Sequence, residues 1–98
     1  MGKNLEEIKG LLAAHRNDLE MQHKVRRIGV FGSFVRGEAT DQSDIDILVE
    51  FGEVTDLFEF IDVGDYLESI LHRKVDLVTK GALKPFLKDK ILNEVIYV

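Results

Sequence analysis

Apolar residues recur along this chain at two different spacings, and the changes of spacing mark its elements. Leu5, Ile8, Leu12, His15 and Leu19 return at helical intervals, with Leu11 beside them, and predict an amphipathic helix from Asn4 to about Leu19. Asn4 suits the cap, with Glu7 three residues on as its capping-box partner. Arg26 to Phe31 (RRIGVF) reads as a strand that Gly32-Ser33 stops abruptly. Ser33 to Gly37 has the length of a short helix, and Glu38 to Ser43 reads as a polar loop. The second strand, Asp44 to Phe51 (DIDILVEF), alternates. Ile45, Ile47 and Val49 take one face. Asp44 and Asp46 take the other, side by side, with Leu48 beyond them.

A turn at Gly52 to Thr55 follows, and Thr55 or Asp56 caps the next helix, with Glu59 three residues after Asp56. Leu57, Phe60, Ile61, Leu67, Ile70 and Leu71 give that helix its apolar stripe. Gly64 lies on the stripe and predicts a close approach of helix to sheet. Lys74 to Thr79 (KVDLVT) reads as a third strand, with Val75 and Leu77 on one face and Asp76 and Val78 on the other. Pro85, past Gly81, suits the first turn of a last helix, where its missing N–H costs nothing. Leu83, Phe86, Leu87, Ile91 and Leu92 are expected to pack that helix down. Glu94 to Val98 (EVIYV) closes the chain as a short strand or an extended tail. The fold class expected is α/β (α+β): a small mixed sheet of three or four strands flanked by helices, as one domain over residues 1–98.

Composition narrows the function more than the fold. With 98 residues and 45% hydrophobic positions, there is room for one modest core and little for a second module. The net charge of −5 gives no long-range pull toward a polyanion, so nucleic acid is a poor partner. The absence of cysteine excludes disulfides, thiolate metal sites and a thiol nucleophile, and accords with a reducing cytoplasm. Met1 to Asn17 has no uninterrupted apolar stretch of the signal-peptide kind, and no run approaches the ~20 apolar residues of a membrane span. His15, His23 and His72 have no partners at metal-ligand spacing and read as structural.

The candidate chemistry lies in the acids. Residues two apart on a strand leave the same face with Cα atoms ~6.5–7 Å apart. Two carboxylates that close repel unless a cation sits between them. Mg²⁺ suits such a pair, since it bridges protein carboxylates to substrate phosphates. Asp76 is a third acid in an otherwise apolar strand. If that strand lies beside the second, Asp44, Asp46 and Asp76 could hold two ions ~3.5–4 Å apart. Gly32-Ser33, where a strand ends and a helix begins, offers close backbone approach and free N–H groups to a phosphate. Arg36, one turn on, could neutralise a triphosphate or simply pair with Glu38 or Asp41. Asp41 to Asp46 is not a calcium loop, because the loop glycine and closing glutamate are missing. Without Gly-Lys-Ser/Thr there is no Walker loop either.

The segment GSFVRGEATDQSDIDILVEF resembles the nucleotidyltransferases of the DNA polymerase beta type, whose signature is Gly-Ser, ten residues, then Asp-x-Asp. It is more similar still to their minimal bacterial and archaeal group, the MNT proteins, from Arg26 through KVDLVTKGALKP to the end. The resemblance implies that Asp44, Asp46 and Asp76 bind two Mg²⁺ ions, with Asp76 also helping to activate an acceptor hydroxyl. It implies that Gly32 and Ser33, supported by Arg36, hold the β- and γ-phosphates of ATP, and that AMP is transferred with release of pyrophosphate. Members of the group often pair, as antitoxins, with a HEPN-domain toxin, and in some pairs adenylylate a toxin tyrosine. The short chain agrees, because it has little surface left to bind an acceptor, and a folded partner could supply both the acceptor hydroxyl and the missing wall of the cleft. The alternatives are an antitoxin that only masks its toxin, and a domain whose acids are plain surface charges. The tail Val95 to Val98 could pair at a sheet edge and make a homo-oligomer.

Overall fold

A computed structural model of the chain describes residues 4–98. The predicted first helix is two: α1, Leu5–Ala14, and α2, Arg16–His23. Asn4 caps α1 by accepting the Glu7 N–H at 2.9 Å. The break falls at His15, whose backbone leaves the helical region (φ −105°, ψ 11°) while its ring Nδ1 donates to the Leu11 carbonyl at 2.8 Å. The side chain thus takes an acceptor in the last turn of α1, and the chain turns there. Leu19 of α2 still reaches the core beside Ile8 and Leu12.

Four strands form a single mixed sheet: β1 Val25–Phe31, β2 Ile45–Phe51, β3 Val75–Thr79 and β4 Ile96–Tyr97, in the order β3-β2-β1-β4. β1 runs antiparallel to β2 and β4, and β2 runs parallel to β3. The parallel pair needs a crossover. That crossover is α4, Leu57–Leu71, capped by Asp56, which accepts the Glu59 N–H at 2.9 Å. One face of the sheet, with Ile28, Val30, Ile45, Ile47 and Val49, packs against Ile8, Leu12 and Leu19 and against Val63, Leu67 and Leu71 of α4. Each such side chain stabilises the fold by roughly 1.5–3 kcal/mol relative to exposure. The alternation in DIDILVEF therefore does what its pattern requires: its Ile and Val positions fill the core, and Asp46 is left on the other face.

Three expectations need correction. The α4 stripe runs through Val63, Leu67 and Leu71, whereas Leu57 and Ile61 stand 68% and 47% exposed. At helical pitch those two lie roughly a third of a turn off the buried line. Gly64 is not forced by a close approach, since a Cβ there would meet nothing nearer than Leu77 Cδ2 at 3.9 Å. The last helix, α5, Pro85–Glu94, has no buried residue, and its Phe86 is 76% exposed. Its apolar positions spread around the helix rather than forming one stripe, so they cannot all face the sheet. Pro85 does occupy the first turn.

The tail uses the sheet edge within its own chain. Ile96 and Tyr97 pair with Val30 and Gly29. A Cβ on Gly29 would lie 2.6 Å from Val95 Cγ2 and 3.0 Å from the Ile96 carbonyl, so glycine is what lets β4 lie so close. Arg27 covers Tyr97 from 3.7 Å. Among the described residues no helix is long and apolar enough to cross a membrane.

Candidate active site

The acids gather at the end of the sheet where β2 and β3 begin. Asp46 and Asp76 are direct neighbours in the parallel register. Asp44 lies one residue before β2 rather than in it. Asp44 and Asp76 are exposed, and Asp46 between them is half-buried. Burial, then the charge and hydrogen-bonding reach of Asp76, then the charge of Asp44, raise the Asp46 carboxyl to about 6, with Arg36 opposing weakly. Ionised together, these carboxylates repel one another. Among the described residues no group of three or more His, Cys, Asp or Glu side chains is placed to hold a metal ion.

Gly32 sits against the same acid. β1 ends at Phe31, which pairs with Asp46, and the next residue turns into α3, Ser33–Arg36. Gly32 has φ 80° and ψ −151°, a conformation open essentially to glycine alone. A Cβ there would lie 2.8 Å from the Asp46 carboxyl carbon. The turn closes with Val35 and Arg36 N–H groups donating to the Gly32 carbonyl, and Gly37 ends it in the left-handed region. All six residues singled out from the sequence, Gly32, Ser33, Arg36, Asp44, Asp46 and Asp76, therefore belong to this one end of the sheet.

The pattern of the nucleotidyltransferase domain family matches residues 12–98. The chain belongs to that family. The protein adenylyltransferase MntA of Thermococcus cleftensis is 51% identical over 94 residues, covering 96% of this chain and 95% of the relative. Among solved structures, a minimal nucleotidyltransferase superposes with a TM-score of 0.81 at 36% identity, over 96% of this chain and 95% of the other. A toxin–antitoxin complex of MntA with HpeT gives a TM-score of 0.68 at 28% identity, over 99% of this chain and 72% of the other. Nucleotidyl transfer is this enzyme's class of chemistry, and the mixed sheet with its helices is the nucleotidyltransferase fold.

Two residues at this end of the sheet escaped the sequence reading. Arg73, just after α4, donates from Nε to the Ser43 carbonyl at 2.7 Å and from Nη2 to the Thr40 carbonyl. Its guanidinium also lies 5.1 Å from the Phe34 ring centre. It thereby holds the polar loop that leads into Asp44, which Thr40 and Ser43 tie together locally. Arg73→Ala is expected to speed amide exchange at Ser43 about tenfold or more, through the loss of two charge-assisted hydrogen bonds, while the core amide of Leu67 keeps its protection. Equal exchange at Ser43 in the two proteins would remove Arg73 from this role. The second residue is Glu94, which accepts the Gly32 N–H at 2.8 Å and pairs with Arg36 at 2.8 Å. Arg36 also donates to Glu38 at 2.6 Å, so it does pair with a nearby acid. Burial alone would raise the Glu94 carboxyl, but Arg36 and the Gly32 N–H outweigh it and hold it below the usual range. The same two carboxylates keep Arg36 charged at any working pH.

Proposed function

We propose that this nucleotidyltransferase moves AMP from ATP to a hydroxyl of a protein partner, and that the partner is a HEPN-type toxin it neutralises. The observation that carries this reading is the placement of Asp46 and Asp76 side by side, with Asp44 adjacent and the Gly32-Ser33 turn against Asp46. Asp44, Asp46 and Asp76 would hold Mg²⁺, two ions in the arrangement favoured here, which would neutralise triphosphate charge and lower the pKa of the attacking hydroxyl. Ser33 and the first N–H groups of α3 would receive the β- and γ-phosphates, because a helix start has no acceptors of its own for them. The acceptor oxygen bonds to the α-phosphorus, the bond from that phosphorus to the β-bridging oxygen breaks, and pyrophosphate leaves. Asp76, the exposed member of the neighbouring pair, would face the partner and take up the hydroxyl proton.

The partner assignment is supported by the 51% identity to a protein adenylyltransferase and by the fold shared with an antitoxin bound to its toxin. Phe86 and Leu87 of α5 are exposed apolar side chains that a protein partner would cover. Labelled ATP, Mg²⁺ and the neighbouring gene product are expected to give a labelled partner, and Asp44→Asn with Asp46→Asn to abolish the label. Label transfer that survives the double substitution would overturn the assignment. Full neutralisation of the toxin by that double variant would favour masking over modification.

A further inference from the structure

We infer that Glu94 is a positioning residue that sets the phosphate-binding turn by holding both of its ends, an inference that rests on the function proposed above. β1 gives out at Phe31, its last residue paired with β2, so the following N–H, that of Gly32, has no strand partner there. An N–H left unpaired at this partly buried place would cost about 1–3 kcal/mol. Glu94 supplies the acceptor through Oε2, and through Oε1 it grips Arg36 at the far end of α3. One carboxylate therefore spans the whole of Ser33–Arg36.

Glu94 is itself fixed from two sides. It is the last residue of α5, and the strand that follows one residue later pairs with Gly29 and Val30. Its side chain is 14% exposed, whereas that of Arg36 is 43% exposed. The guanidinium is thus held on its enclosed side and open on its outer side. Among the described residues two of its five N–H groups are taken, by Glu94 and Glu38, so others remain for a ligand. With two carboxylates on it, Arg36 brings directed hydrogen bonds rather than net positive charge, and direction is what Glu94 controls. The single Gly32 N–H is already used, which leaves phosphate contact to Ser33 and the α3 start.

The test compares MgATP binding by calorimetry and steady-state adenylyl transfer for the wild type, Glu94→Ala and Glu94→Gln, at a temperature where all are folded. Glu94→Ala is expected to raise KM and Kd for MgATP about tenfold with a smaller change in kcat, the pattern of lost binding orientation. Glu94→Gln offers one oxygen where two are needed, so it should fall between the others. It is near-isosteric and carries the test if Glu94→Ala does not fold. Unchanged KM in the folded variants overturns the inference, even with a lowered Tm. Tighter MgATP binding in either variant also overturns it, because the carboxylate would then be competing with phosphate. A wild type that binds no MgATP overturns the functional proposal and this inference with it, whereas binding that is equal in wild type and variants overturns this inference alone.

Discussion

Asp46→Asn is expected to yield a protein that unfolds at a higher temperature than the wild type and transfers AMP far more slowly. Asp46 is raised from 3.8 to about 6 by burial and by Asp76 and Asp44. A carboxyl raised on folding stabilises the fold fully while it is protonated in both states, below about 3.8. That contribution is lost as pH rises through about 6, so at neutral pH the wild type carries the whole cost of an ionised Asp46. Because the side chain is partly open to water, the cost is discounted to roughly 1 kcal/mol, which corresponds to about 4–8 °C in a domain of this size. Thermal unfolding of both proteins at pH 7 and pH 4 checks it: the variant should lead at pH 7 and the gap should close at pH 4. An asparagine variant no more stable at pH 7 would contradict the account. Transfer should fall by roughly 10²–10³-fold or more, the loss seen when one group stabilising developing charge is removed. The half-buried charge that costs stability is the one the proposed reaction needs, so stability and activity pull apart at this residue.

Gly32→Ala should act in the opposite sense on stability, with loss of activity as well. The new methyl group enters a backbone conformation that costs about 1–3 kcal/mol for any residue but glycine. It also meets the Asp46 carboxyl group, which cannot move aside toward Asp76 without added repulsion. Together these should cost about 3 kcal/mol, a fall in Tm of more than about 10 °C. The double variant Gly32→Ala with Asp46→Ala separates the two causes. Removing the carboxylate should recover the clash but not the backbone strain, giving a non-additive cycle. Additive effects would mean that Gly32 and Asp46 do not touch.

The parts of the fold legible in the sequence were those with local signatures. The caps at Asn4 and Asp56, the strand alternation and Pro85 in a first turn each depend on neighbours a few residues away. The gathering of Asp44, Asp46 and Asp76 was conditional, because the pattern of KVDLVT fixes which residues share a face but not which strand lies beside it. What stayed hidden was set by distance. Glu94 reaches Gly32 across 62 positions, and Arg73 reaches Ser43 across 30. Glu94 carries no mark of either contact in its surroundings. The division of the first helix at His15 was hidden for a different reason, since a ring that bonds one turn back and a ring that packs in a stripe have the same spacing. The exposed face of α5 was misread because apolar content was taken for an apolar side.

The parallel register of β2 and β3 has one more consequence. A slip of one residue between them would turn Asp76 toward the helices and bring Val75 or Leu77 out beside Asp46. The misaligned chain would then bury an unpaired carboxylate in the core and present apolar surface to water. Molecules with a scrambled catalytic end are thus the same molecules that fail to hold together. The population of this enzyme should be purged of long-lived, well-folded, inactive impostors by its own stability.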